Sequence, residues 1–215
     1  MQNRRQALLN ARLHIESIYL AAPFPELLRK EEILSILKPA FSERPYLPAD
    51  AASSSPAAVL VIIHYHDGSP HVFLTKRSSS LKSHKGEISF PGGRFVESDG
   101  TLLSTALRET EEEIGIAFTP EQVVGSLRAV HTMTSNHFIV PFVTIQDMLP
   151  MHRIAAGEVE AVIDVPLIET LKSIEPDTEH YMLARDAFKF TYGGNVIWGA
   201  TARILKQLHD LIRPS

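Results

Sequence analysis

Three glutamates, Glu109, Glu112 and Glu113, are the residues best equipped for chemistry in this chain; they stand within Asp99 to Ile116, DGTLLSTALRETEEEIGI. At about 100° per helical residue their i, i+3, i+4 spacing gathers them on one face, while Glu111 projects away. Like charges crowded in this way repel, and hard divalent ions with oxygen ligands, magnesium above all, offset that repulsion. The competing reading is a solvated acidic face. The helix that would carry them is well specified. Asp99 reads as its amino-terminal cap, Gly115 as its stop, and Leu103, Leu107, Thr110 and Ile114 form a stripe spaced for burial. Immediately upstream, Phe90-Pro91-Gly92-Gly93-Arg94 reads as a strand ending in two glycines, where backbone can turn sharply and approach a phosphate.

Glycine loop, helix and clustered glutamates together resemble the Nudix hydrolase box: Gly, five residues, Glu, seven residues, then Arg-Glu-U-x-Glu-Glu-x-Gly-U, with U apolar. Gly93, Arg108, Glu109, Thr110, Glu112, Glu113, Gly115 and Ile116 supply that pattern. The acid after Gly93 is Asp99 where the box has glutamate, and eight residues rather than seven separate it from Arg108, so a pairing between Asp99 and Arg108 is left open. A subgroup similar to the coenzyme A pyrophosphatases shares both departures. Its second signature, Leu-Leu-Thr-x-Arg-Ser-x-x-Leu-x-x-His-x-Gly-x-x-x-Phe-Pro-Gly-Gly, is matched from Phe73 through Arg77, Ser78, Leu81, His84 and Gly86 to Gly93, with only Phe73 differing. The segment Ile197 to Leu205 also resembles that subgroup's last helix.

The resemblance implies metal-dependent hydrolysis of a pyrophosphate bond in coenzyme A or its thioesters, giving 3′,5′-ADP and 4′-phosphopantetheine derivatives. It implies Mg2+ or Mn2+ on Glu109, Glu112 and Glu113. Arg108 is expected to hold a glutamate by a forked ion pair. Glu112, Arg108 and Glu158 are the candidate catalytic residues, Glu158 matching the late glutamate that many Nudix proteins use as ligand or base. Arg77 and His84, with neighbouring lysines, are the candidates for the coenzyme's 3′-phosphate, and Gly92 and Gly93 for close approach to the substrate. Two alternatives stay open: a Nudix pyrophosphatase for nucleoside diphosphate sugars, dinucleotides or damaged nucleotides, and a non-catalytic nucleotide-binding regulatory module. Substrate choice in such folds lies in loops.

Composition narrows the field from the other side. With 44% hydrophobic and 21% charged residues among 215, the chain can bury one ordinary core and is not a disordered or collagenous polymer. Lys plus Arg number 21 against 25 acids, a formal charge of −4, so there is no general basic excess to hold nucleic acid, and the basic stretch Lys76, Arg77, Lys82, His84, Lys85 is local. The absence of cysteine excludes disulfides, thiolate metal sites and a cysteine nucleophile. No apolar run approaches membrane-spanning length, so neither nucleic acid nor membrane is an expected partner and a cytoplasmic location is the default. His64 and His66, two apart on one strand, can face one way as metal ligands, but the sequence offers no evident third partner.

The elements that must position these residues follow from periodicity. Apolar positions between Leu8 and Leu37 predict two or three short helices; Pro39 to Pro56 reads as a linker. This divides the chain into residues 1–55, which either pack on the domain or build a homodimer, and a hydrolase domain over 56–215. Strands are predicted at Val59–Ile63, Val72–Thr75, Ile88–Phe90, Val123–Val130, Phe138–Ile145, Val159–Val165 and Phe188–Tyr192, with Asp67-Gly68 turning the first hairpin and helices at Leu102–Ile114 and Ala200–Ile212. The expected architecture is α/β, a Nudix-type α/β/α sandwich with a mixed sheet and an N-terminal helical extension.

Overall fold

Asp67 and Gly68 both take positive φ, 49° and 76°, the type I′ geometry whose twist matches that of paired strands. They join β1 (Ser55–His66) to β2 (Ser69–Arg77) in a two-residue hairpin with Ile62 opposite Phe73 and His64 opposite His71. Both strands outrun the apolar stretches that announced them. The computed structural model describes residues 24–25, 28–41, 55–80, 86–132, 137–179 and 187–213. The predicted helices before residue 24, most of the linker, and His84 with Lys82 and Lys85 lie outside the described residues.

After the hairpin come β3 (Ile88–Ser89), β4 (Gly92–Arg94) and the acidic helix, numbered α2 because α1 (Lys30–Leu37) precedes the sheet. Helix α2 spans Leu102–Ile114, as the periodicity predicts. Then follow β5 (Val123–Ser126), β6 (Val130–His131), β7 (His137–Gln146), β8 (Val159–Pro166) and α3 (Leu167–Lys172). A small three-stranded sheet of β9 (Glu175–Pro176), β10 (Phe188–Tyr192) and β11 (Asn195–Ile197) leads into α4 (Gly199–Ile212). The main sheet is mixed: β7 runs parallel to β1, aligned from Ser55 beside His137 to His64 beside Gln146, whereas β2, β4, β5 and β8 make antiparallel pairs.

Alternate residues of a strand face opposite sides, which gives the sheet two cores. Ala58, Leu60, Ile62 and Phe73 pack with Ala106 and Ile114 of α2. Val61, Ile63, Val72 and Leu74 pack on the other side with Ile33 and Leu37 of α1 and Leu205 and Leu208 of α4. The result is the α/β/α sandwich around a mixed sheet that the strand and helix order implied.

The run Val123–Val130 is two strands. Register against β7 shifts between Val123 and Gly125, and a Cβ at Gly125 would lie 2.3 Å from the Phe41 ring, so glycine is what lets the segment after α1 close over this edge. Among the described residues no helix is long and apolar enough to cross a membrane.

Candidate active site

Thr101 caps α2: its Oγ1 accepts the Ser104 N–H at 3.0 Å. This corrects the expectation for Asp99, whose carboxylate is turned instead to Arg108. Arg108 Nε donates to Asp99 Oδ1 at 2.7 Å and Nη2 to Oδ2 at 3.0 Å. Asp99 also accepts the Thr105 hydroxyl at 2.7 Å and the Val96 N–H at 3.3 Å. A 3-10 turn over Glu97–Asp99 and then Gly100, at φ 70°, lead into the helix. The pairing that the sequence left open is therefore formed. The arginine fork falls on Asp99 rather than on a glutamate; Glu109 and Glu112 receive one contact each, Nη2 to Oε1 at 2.9 Å and Nη1 to Oε2 at 2.8 Å.

The three helix glutamates are not equivalent. The Glu112 side chain is 57% exposed, Glu109 19% and Glu113 only 5%. Burial pushes the Glu113 carboxyl up to about 7, against the opposing pull of the Gly92 N–H and the Arg77 guanidinium, and the charges of Glu109 and Glu158 push the same way as burial. Glu109 is raised too, first by burial, with Arg108 working against the rise and Glu112 and Glu158 adding to it.

The glycine loop touches this cluster directly. Gly92 donates its N–H to Glu113 Oε2 at 3.3 Å. At Gly93 a Cβ would stand 2.4 to 2.6 Å from the atoms of the Glu109 carboxylate, so the missing side chain is the room that carboxylate occupies. β4, which holds both glycines, is fixed on β1 through Ala58 opposite Gly93 and Val59 opposite Gly92.

Arg77 closes β2, and its Nη1 lies 3.8 Å from Glu113 Oε1. Its Nε is buried without a hydrogen-bond partner. Arg77 N–H donates to the Glu87 carbonyl at 2.9 Å and Gly86 N–H to the Arg77 carbonyl at 3.1 Å, so the loop bearing the upstream signature begins and ends at the glutamate face. Lys76, also in the basic stretch, is tied to Glu160 at 2.7 Å.

Glu158 is exposed, and its carbonyl accepts the Ser78 N–H at 2.8 Å. Its approach to the helix is set by main chain: Ala155 N–H donates to the Glu113 carbonyl at 2.9 Å and Arg153 N–H to that of Ile114 at 2.8 Å. These bonds satisfy carbonyls that a helix end otherwise leaves open. Sequence reasoning missed this clasp and the role of Asp99, because neither follows from residue type.

Glu109, Glu112, Glu113, Arg108, Arg77, Gly92, Gly93 and Glu158 thus border one another. The carboxylates are hard oxygen donors, one of them is buried with its pKa pushed up by that burial, and glycine clears the space beside another. That donor set fits Mg2+ or Mn2+.

An acidic helix fed by a glycine loop on a mixed sheet is an arrangement that this chain shares with known proteins. The Nudix domain profile matches residues 54–183. Nudix hydrolase 3 of Caenorhabditis elegans is 32% identical over 206 residues, spanning 86% of this chain and 85% of that protein. The Nudix hydrolase NudL of Photorhabdus laumondii is 34% identical over 151 residues, spanning 67% and 78%. A crystal structure of a Nudix hydrolase from Alicyclobacillus acidocaldarius superposes with a TM-score of 0.50 at 18% identity, over 75% of this chain and 93% of that one, a likeness of fold. The chain belongs to the Nudix family. As a Nudix hydrolase it is a pyrophosphohydrolase, in a family that typically works with Mg2+ or Mn2+.

Proposed function

We propose that this chain hydrolyses the pyrophosphate bond of coenzyme A or its thioesters, releasing 3′,5′-ADP and the 4′-phosphopantetheine portion. The observation that supports the reading most directly is Arg77. It belongs to the signature upstream of the box, yet its guanidinium stands 3.8 Å from Glu113 with Nε buried and unpaired, so signature and box border one site.

Water attacks one phosphorus in line, the bridging oxygen leaves with the other phosphoryl group, and negative charge gathers on the non-bridging oxygens. Mg2+ or Mn2+, when bound, supplies neutralisation of that charge and acidifies water. Glu109, Glu112 and Glu113 are the residues that would hold it. Arg108, anchored on Asp99, positions Glu109 and Glu112. The proton of the attacking water goes to Glu158, which carries no ion pair among the described residues, whereas Glu112 is already held by Arg108 at 2.8 Å. Arg77, so near Glu113, suits an oxygen of the diphosphate, leaving His84 and its neighbouring lysines for the 3′-phosphate.

Coenzyme A, dephospho-coenzyme A and ADP-ribose, compared at equal magnesium with products separated by chromatography, test the reading. Coenzyme A is expected to exceed dephospho-coenzyme A by roughly tenfold to a hundredfold in kcat/KM, as a lost charge-assisted hydrogen bond of ~1.5–3 kcal/mol implies. Equal or faster cleavage of ADP-ribose would leave the pyrophosphohydrolase and remove the coenzyme.

A further inference from the structure

Among the described residues, a second group of metal-ligating side chains lies well away from the catalytic face. His64 on β1 is opposite His71 on β2, and Asp164 on β8 is opposite Phe73, so all three share the sheet face that carries Ile62 and Phe73. His64 Nε2 lies 2.8 Å from Asp164 Oδ1, and His71 Nδ1 lies 3.4 Å from the same oxygen. The three ligand atoms fall within 4.8 Å of one another. Strand rise separates His71 from Arg77, at the far end of β2, by about 20 Å.

We propose that His64 Nε2, His71 Nδ1 and Asp164 Oδ1 form a site for a borderline divalent transition ion of the Zn2+ class, clamping β1, β2 and β8 together. Two imidazoles and a carboxylate are the ligand types such ions take with nitrogen and oxygen donors, and their ordinary bond lengths of about 2.0–2.2 Å put neighbouring donors near 3.3 Å apart in a tetrahedron. The 3.4 Å separation already meets this, and the 2.8 Å contact needs to open by a few tenths of an ångström.

His71 Nδ1 argues for an ion over a simple hydrogen-bonded network. It is buried and makes no hydrogen bond, though it faces a carboxylate oxygen. A buried unsatisfied nitrogen costs stability that coordination would recover. His64 is 4% exposed and held in place, whereas Asp164 is 35% exposed and opens the group to solvent. With three protein ligands the fourth position is left for water. His66, the partner expected from spacing, is not in the set: its Nε2 faces Asp67 Oδ2 at 3.5 Å and its side chain is 66% exposed.

The test uses the full chain with Glu109→Gln, Glu112→Gln and Glu113→Gln, so that ions at the catalytic glutamates do not register. Chelator-stripped protein titrated with Zn2+ is expected to bind one equivalent and to melt several degrees higher. His71→Gln and Asp164→Asn should each weaken binding at least tenfold and abolish the shift. Should either variant fold poorly, imidazole nitrogen NMR of the unsubstituted rings decides, with Zn2+ moving His64 Nε2 and His71 Nδ1 and leaving His66 unmoved. No zinc-dependent rise in melting temperature, a rise that survives both substitutions, or unmoved His64 and His71 resonances overturns the site.

Discussion

Gly93 stands where any side chain would collide with Glu109, a Cβ falling 2.4 Å from its carboxyl carbon. Gly92 next to it is confined differently, since a Cβ there would meet the Ala58 carbonyl oxygen at 2.3 Å and the Val59 Cα at 2.5 Å, and its φ of 148° lies where L side chains are strained. Adjacent glycines therefore serve different ends. Gly93→Ala should displace only the end of a flexible side chain and lower kcat by about 10²-fold with little change in melting temperature. Gly92→Ala should instead destabilise by about 2–4 kcal/mol, because backbone must give way. Kinetics and thermal melts of the two variants check the division, and a Gly93→Ala protein with normal kcat refutes it.

Asp99 is almost wholly buried, 3% exposed, under the Arg108 fork. Bonds from Arg108, then from Thr105 and the Val96 N–H, outweigh burial and hold its carboxyl well below the usual range. A depressed folded-state pKa contributes stability that is complete above the unfolded value, about 3.8, and drains away as pH falls below it. Asp99→Asn should thus cost about 2 kcal/mol at pH 7, with the deficit shrinking in strong acid. Urea midpoints measured at both pH values decide this; an unchanging deficit would mean that the charge is irrelevant.

Glu113 has the opposite sign. Its ordinary value is 4.5 and its folded value about 7, so without metal the folded chain keeps a proton that the unfolded chain has released, and stability falls as pH rises from about 4.5 through 7. Glu113→Gln removes that penalty, on the order of 2 kcal/mol, so in chelator at pH 8 the variant should melt several degrees above wild type while turnover falls by about 10²-fold. A variant that melts lower than wild type at pH 8 contradicts the argument.

Arg77→Ala should lower kcat/KM about tenfold or more for coenzyme A and dephospho-coenzyme A alike, because a guanidinium 3.8 Å from Glu113 is at the chemistry rather than at a distant phosphate. A loss confined to coenzyme A would assign Arg77 to the 3′-phosphate after all.

Local patterns reached the sequence's surface most clearly. Helix α2 and the Asp67-Gly68 hairpin were legible because periodicity and a turn preference for positive φ act within a few residues. The glutamate cluster was legible for the same reason, as three positions on one helical face. What needed the fold was register and depth. His64 and His71 meet only because a two-residue loop sets them opposite each other, and Asp164 joins them from a strand 93 residues after His71. Equal spacing gave no hint that Glu113 is buried while Glu112 is exposed. Helix α1, assigned from sequence to an extension, puts Ile33 and Leu37 wholly inside one of the two cores, a depth that amphipathic spacing does not reveal.

The clasp from Arg153 and Ala155 to the end of α2 is made by peptide N–H groups alone. The two bonds consequently do not depend on the chemistry of the side chains at these positions. Proline is the exception, since at 153 or 155 it would delete a donor and unfasten the loop from the helix. Glu158 and the helix glutamates are in this way held in mutual register by main-chain bonds that no residue type announces.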